Sequence, residues 1–320
     1  MRVINRLEKF GFRNPVATIG VFDGVHIGHQ KILDAVKTHA KKINGESVVI
    51  TLWPHPRFVI QRDQGELNLL NTLEEKKILL EKAGIDNLVI IPFTKQIAAM
   101  TSEAFIRNVL IDKIGVKQLI LGHDHHFGKQ RDGNYKSLVE LSKKYNFNID
   151  KIEAVFHHEQ KISSTIIRNH LFSGQVSRAN ELLGYHYFIE AIVGHGNRIG
   201  REIGFPTANA TIINPYKIIP KDGVYAAFVK WKNKLYKAML NVGFRPTIDE
   251  EMKRKVVEVH IMDFYKNIYN ERLVILFVDR LRDEVKFDGL NKLKNQLNKD
   301  KTDALAILDT IPTNDLNSIM

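Results

Sequence analysis

The chain has 320 residues, 44% hydrophobic and 26% charged, enough apolar material for two ordinary domains and a composition that excludes intrinsic disorder and fibrous repeats. It has no cysteine, which excludes disulfides, thiolate zinc sites, iron–sulfur clusters and cysteine nucleophiles together, so any metal must sit among oxygen or imidazole donors. The formal charge of +11 leans towards residues 1–180 (26 basic, 18 acidic) and is spread rather than blocked; it can serve nucleic acid, anionic lipid or small phosphorylated ligands alike and does not demand a polynucleotide.

In chain order, Val16–Val21, Val48–Leu52, Leu88–Ile91, Leu119–Leu121 and Ile149–Val155 are short apolar runs of buried-strand type. Between them come helical patterns: Ile32, Val36 and Ala40 with Leu33 alongside, then Leu73–Lys82, Ser102–Ile114 and Tyr135–Tyr145. This alternation predicts a Rossmann-like α/β domain, a parallel sheet with helices on both faces, which binds ligands at the carboxyl ends of its strands. After a helical pair, Ser164–Phe172 and Ser177–Leu183, strands follow without helices between them: Phe188–Val193, Val224–Trp231, Leu235–Val242, Val256–Phe264 and Leu273–Val278. The Lys232–Lys234 link suits a hairpin, so the second half is expected to be an antiparallel β-barrel, closed by a helix over Leu290–Leu308. The expected domains are 1–180 and 181–320. No run approaches the roughly 20 apolar residues of a membrane span, and MRVINRLEKFGFRNP lacks the apolar core of a signal peptide. A cytoplasmic protein with no membrane partner is expected.

The first predicted strand runs into GVFDGVHIGH, Gly20–His29, and then into a helix. Glycines at 20, 24 and 28 let backbone approach a ligand closely, and a helix N-terminus offers N–H groups and a positive dipole end to phosphate. His26 and His29, three apart, can face one side. A zinc reading of the pair finds no third ligand nearby and no HExxH. Ser163, Ser164 and Thr165 supply hydroxyls where a later helix begins, and Arg168 lies one turn inside it, able to fork onto phosphate oxygens. An N-cap with a surface arginine is the plain alternative for that segment. His55, between Pro54 and Pro56, is held in an extended turn after the second strand, either facing a ligand or solvated.

HIGH within GVFDGVHIGH resembles the signature of HxGH nucleotidyltransferases. WPHPR (Trp53–Arg57), LGHDHHFGKQRDG (Leu121–Gly133) and KISSTIIRNHLFSG (Lys161–Gly174) narrow the resemblance to the adenylyltransferase half of bacterial bifunctional riboflavin kinase/FAD synthetases. It implies that His26, His29 and Arg168 stabilise ATP phosphates while FMN is adenylylated to FAD. Gly20, Phe22, Asp23, Gly24, Gly28, Ser163, Ser164 and Thr165 would line the nucleotide, and His55, Asp124 and Phe127 the flavin. Where the family usually has aspartate, phenylalanine, a basic residue and phenylalanine, this chain has Asp124, His125, His126 and Phe127.

In the second half, GHGNRIGREIGFPTAN carries Gly194, Gly196, Gly200 and Gly204 with Arg198 and Arg201, a loop able to wrap polyphosphate without a Walker lysine. Thr207 and Asn209, two apart, would direct hard oxygen donors to one side, as magnesium on ATP phosphates requires. In VVEVHIMDF, Val257, Val259 and Ile261 alternate with Glu258 and His260. Glu258 is thus either a solvent-facing strand residue or a carboxylate able to accept the proton of an attacking alcohol. The order GRxxGFPTAN resembles the riboflavin kinase signature. That resemblance implies Gly194, Gly196, Arg201, Gly204, Pro206 and Thr207 at the nucleotide, Asn209 and Arg245 near the flavin, Mg2+ on Thr207 and Asn209, and Glu258 as general base. Asn241, Val242, Gly243, Arg245, Pro246 and Thr247 resemble a further family loop near the nucleotide and flavin sites, and Arg280, Arg282, Glu284 and Phe287 resemble the stretch leading to the closing helix, without individual roles.

The expectation is a bifunctional enzyme that makes FMN from riboflavin and FAD from FMN, using ATP twice, with flavins as substrates or products and no nucleic-acid partner. Self-association is left open. A monofunctional kinase with a changed first domain and a flavin-responsive nucleic-acid-binding regulator are the alternatives.

Overall fold

The structure is a computed structural model describing residues 1–5, 8–60, 68–123, 135–157, 159–194, 199–245, 254–312 and Leu316, apart from the side chains of Ile199, Arg201, Arg245 and Arg254. Compactness divides the chain into two units, Met1–Ser164 and Thr165–Met320.

The first unit is built on six parallel strands: β1 (Arg2–Ile4), β2 (Val16–Ile19), β3 (Ser47–Trp53), β4 (Asn87–Pro92), β5 (Gln118–Gly122) and β6 (Asn148–Ile152), in the order β1-β4-β3-β2-β5-β6. A parallel sheet covered on both faces needs apolar residues at consecutive positions, and β2 is buried throughout, as are Val48, Val49 and Ile50. On one face Val16 and Ile120 pack against Val36 and Ala40 of α1 (Ile27–Lys42), with Ile32 alongside. On the other, Ala17, Ile19, Val48, Ile50 and Leu119 meet Phe105, Ile106, Val109 and Leu110. The strand order reverses at β2, so the turn that follows β2 opens at the switch point, where such sheets take their ligands.

The remaining helices of this unit are α2 (Pro56–Ile60), α3 (Leu73–Lys82), α4 (Lys95–Ala99), α5 (Ser102–Phe105) and α6 (Tyr135–Tyr145). Thr72 and Glu75 close a capping box on α3. The expected helix over Ser102–Ile114 is α5 followed without a break by a π-helical stretch, Ile106–Ile114. A short antiparallel pair, β7 (Phe156–His157) and β8 (Gln160–Lys161), leads into α7 (Ser164–Phe172).

In the second unit α7 and α8 (Val176–Leu183) precede a closed antiparallel barrel in the order β10-β13-β12-β11-β14-β9. Its strands are β9 (Phe188–Gly194), β10 (Ala208–Ile212), β11 (Gly223–Trp231), β12 (Lys234–Arg245), β13 (Arg254–Ile261) and β14 (Arg272–Arg282), with α9 (Ile199–Glu202) between β9 and β10. Lys232 and Asn233, at φ 45° and 63°, form the tight β11–β12 turn, whose twist matches the flanking strands. Asn180 joins α8 to the barrel, donating to the Phe277 carbonyl at 2.9 Å and accepting the Tyr187 N–H at 2.7 Å.

The closing helix, α10 (Leu290–Leu308), is fastened by one buried carboxylate. Asp300, 1% exposed, receives Nε and Nη2 of Arg282 at 2.8 and 2.7 Å and the Gln296 amide at 2.8 Å. Removing one partner of such a pair strands a buried charge. Asp300→Ala should therefore lower the unfolding free energy by about 3 kcal/mol, measured by urea titration of Trp231 fluorescence in a Trp53→Phe background; an unchanged midpoint would remove Asp300 from the helix anchor.

Candidate active sites

The first site is the segment between β2 and α1. Phe22, Gly24 and Val25 all have positive φ (48°, 90° and 35°), a costly backbone for a β-branched valine that the surroundings must hold. Three attachments do so. The Asp23 carboxylate, 4% exposed, accepts the N–H groups of Leu70 (3.1 Å) and Asn71 (3.0 Å), just before α3. The Asp23 carbonyl accepts the Ser164 hydroxyl at 2.8 Å, and the Val21 carbonyl accepts Lys76 Nζ at 2.6 Å.

His26 is the N-cap of α1, its Nδ1 accepting the His29 N–H at 3.3 Å. The two imidazoles stack, with ring centroids 3.6 Å apart at 15°, and Phe22 packs edge-on to His29. Gly28 allows this: a Cβ there would lie 3.2 Å from the His26 ring. His29 Nδ1 is shut off from water with no hydrogen-bond partner. Burial, then the neighbouring His26 and Lys76, hold its pKa well below the ordinary imidazole value, so at neutral pH it is an uncharged imidazole. His55 follows β3 at the same end of the sheet, 8% exposed, its Nδ1 accepting the Arg57 N–H at 3.2 Å. It immediately precedes α2. Arg168 is half-buried, one turn along α7 from Ser164; Ser163 is half-buried and Thr165 exposed.

The second site lies on the barrel. Register puts Glu258 of β13 directly opposite Asn209 of β10 on one side and Asn241 of β12 on the other, and carries the row on to Gly194 and to Val224 and Arg282. Residues paired across a sheet share a face. Glu258, Asn241, Val224 and Arg282 accordingly line one cavity of about 300 Å3 with Thr207, Phe287, Leu293 and Leu297. The strands supply its polar groups Asn241, Glu258 and Arg282, and α10 supplies Leu293 and Leu297. Asn241 donates to Glu284 at 3.0 Å.

The 200–207 segment forms the rim. Gly200 is required, since a Cβ would stand 2.2 Å from the Phe205 carbonyl, whose own N–H donates to the Gly200 carbonyl at 2.7 Å. His260 Nδ1 bonds the Pro206 carbonyl at 2.9 Å, tying the rim to β13, and burial lowers the pKa of His260. Thr207 also lines a smaller recess of about 80 Å3 with Val193, Val259, Ile261 and Tyr269, so the residue borders both hollows. Among the described residues no cluster of three or more His, Cys, Asp or Glu could hold a metal. The neutral oxygens of Thr207 and Asn209 fit a hard cation brought in on phosphate rather than a resident one.

Of the residues singled out from sequence, Gly196, Asp124 and Phe127 lie outside the described residues, as do the side chains of Arg201 and Arg245. His26 and His29 come together, with Gly20, Phe22, Asp23, Gly24 and Gly28 in the same turn; Thr207 and Glu258 meet at one cavity, and Asn209 pairs with Glu258 across the strands. Gly194 ends β9, and Gly204, at φ 87°, and Pro206 belong to the rim. Lys76 gave no local signal: it reaches the turn from 55 positions away.

A family profile described as FAD synthetase matches residues 11–166, and one described as riboflavin kinase matches residues 183–308. The bifunctional riboflavin kinase/FMN adenylyltransferase of Buchnera aphidicola subsp. Schizaphis graminum is 36% identical over 303 residues, covering 94% of this chain and 96% of its own. Those of Bacillus subtilis and Escherichia coli K12 are 36% and 32% identical, covering 91% and 95% of this chain and 91% and 96% of their own. A Streptococcus pneumoniae crystal structure described as a macrolide-efflux protein has a TM-score of 0.85 at 30% identity, over 94% of this chain and 98% of its own. Among the described residues here, no helix is long and apolar enough to cross a membrane.

The lowered His29 pKa has a measurable sign. Unfolded chain takes up the proton near pH 6.5 while the folded protein resists it, so stability is lost on acidification below 6.5. By NMR the His29 Cε1–H resonance should titrate well below 6.5; a midpoint at the ordinary value would contradict the water-excluded Nδ1.

Proposed function

Because the chain belongs to the bifunctional riboflavin kinase/FMN adenylyltransferase family, we propose that the family's two reactions are divided between the two sites described, with 1–180 and 181–320 as the functional domains. The enzyme phosphorylates riboflavin with ATP to FMN and ADP, and adenylylates FMN with a second ATP to FAD and pyrophosphate.

Glu258 is the general base of the kinase step: it takes the proton of the primary ribityl hydroxyl as that oxygen attacks the γ-phosphorus and ADP leaves. The observation that carries this is the pairing of Glu258 between two asparagines beside the cavity. Phe287, Leu293 and Leu297 offer apolar surface that suits a flat flavin ring, and family resemblance assigns Asn209 and Arg245 to the flavin. Thr207 and Asn209 would hold Mg2+ carried in on the ATP phosphates, and the chemistry it would supply is neutralisation of phosphate charge. Gly194, Gly196, Arg201, Gly204 and Pro206 complete the polyphosphate loop.

Adenylyl transfer needs no protein nucleophile. The FMN phosphate is already an anion and pyrophosphate a competent leaving group, so orientation and charge stabilisation do the work. His26 and His29 stabilise the α-phosphate in transfer, and Arg168, with Ser163, Ser164 and Thr165, takes the departing phosphates, as family resemblance assigns them. The turn residues Gly20, Phe22, Asp23, Gly24 and Gly28 approach the nucleotide, and His55, Asp124 and Phe127 the flavin. A cytoplasmic enzyme of small-molecule substrates, without nucleic-acid or membrane partners, is consistent with this chemistry.

Separable variants test the division. Glu258→Gln should lower FMN formation from riboflavin by about 10²-fold or more while supplied FMN still becomes FAD. His29→Ala should lower FAD formation by about 10²-fold and spare FMN formation. Chelation with EDTA should stop the kinase step and added magnesium restore it. A folded variant that loses both steps equally, or neither, contradicts the assignment.

A further inference from the structure

Lys76 and Lys77 are adjacent in α3 and meet opposite fates. Lys77 is half-buried and ion-paired with Glu74 at 2.7 Å. Lys76 is 1% exposed, and its Nζ donates to the Val21 carbonyl at 2.6 Å and stands 5.5 Å from the centre of the Trp53 ring. The same carbonyl accepts a second, longer bond from the Thr51 hydroxyl at 3.4 Å. Among the described residues Lys76 makes no ion pair. An ammonium buried without a counter-ion at contact is costly, and a methionine of similar length would fill the space without that cost. The cost is spent on one backbone carbonyl, in the turn where Phe22, Gly24 and Val25 all have positive φ.

We propose that Lys76 is a positioning residue for adenylyl transfer: its ammonium fixes the Val21 carbonyl, and with it the backbone path from Gly20 to His29, and sets a fixed positive charge next to His29. The proposal rests on the assignment of adenylyl transfer to this turn.

Two further observations agree with it. Asp23 and Lys76 grip the turn from opposite chemical senses, the first as acceptor for the amides before α3 and the second as donor from its first full turn. Neighbouring carbonyl and carboxylate are therefore both fixed from one helix start. The charge is also felt locally: burial brings the Lys76 pKa down to about 8 against the pull of Asp23, and Lys76 joins burial and His26 in keeping His29 uncharged. A neutral imidazole retains an N–H to give to a phosphate oxygen and no proton to lose to it.

The test uses the full chain carrying Lys76→Met or Lys76→Arg beside the unaltered protein, with riboflavin phosphorylation as the internal control. The Met variant should convert FMN to FAD about 10²-fold more slowly, mainly through kcat rather than the KM for ATP, with FMN formation from riboflavin within about twofold of normal, as for a change confined to the first unit. Its His29 resonance should titrate at higher pH than in the unaltered protein, because a neighbouring cation is gone. The Arg variant, which keeps donor and charge, should recover FAD formation to within about tenfold and raise the alkaline limb of the pH profile above the value near 8 set by lysine. FAD formation at the normal rate in the Met variant, a loss without movement of the His29 titration, or an Arg variant with its alkaline limb unmoved would each overturn the proposal. If the Met variant does not fold, the Arg profile decides alone. If the unaltered protein makes no FAD, the functional assignment of the turn fails instead.

Discussion

The Asp23 carboxylate is the hinge-pin of the first unit. Its side chain accepts two amides from the approach to α3, 47 and 48 residues away, and its carbonyl accepts the hydroxyl that opens α7. Those amides belong to a buried segment outside any strand, so without the carboxylate they would be buried and unpaired. With it, a turn of three positive-φ residues is held in one conformation at the switch point of the sheet. Phosphoryl chemistry rewards that rigidity, because donors already aimed at developing charge need no reorganisation as it appears. The stacked pair His26 and His29 inherits its geometry from this fixed turn.

The barrel meets the same demand by another route. Antiparallel register aligns residues across strands, and a two-residue period sends every second side chain to one face. Val257, Val259 and Ile261 fill buried positions; Glu258 and His260, between them, go to the other face, one beside two asparagines and the other onto the Pro206 carbonyl. The polar row lies along a single register line, and α10, fastened through Asp300 and Arg282, closes the cavity with leucines. Arg282 serves both purposes, anchoring the helix and lining the cavity.

Much of this was legible because it is local. The 3.6-residue period marked α1, α3, α6 and α10, the consecutive apolar runs marked the parallel strands, and the glycine-rich turns pointed to the two candidate sites. What escaped was short or distant. β1 has only three residues and earns its pairing from β4, more than eighty positions away. β10 (Ala-Asn-Ala-Thr-Ile) has weak strand character and exists because β9 and β13 flank it. The strand expected over Val16–Val21 stops at Ile19, where the chain turns to build the site. Lys76 looked like any lysine on a helix surface; only the fold brings Val21 under it. Asp124 and Phe127, where the chain departs from the family pattern, lie outside the described residues.

The central claim is that two separate sites draw on different phosphorus atoms of ATP for one flavin. Riboflavin incubated with the enzyme and ATP labelled with 32P at either the γ or the α position tests it most directly. The γ label should enter FMN first and persist in the FMN half of FAD, while the α label should enter only the adenylate half, with unlabelled pyrophosphate released. Label from the α position in FMN, or FAD that carries no α label, would contradict the account.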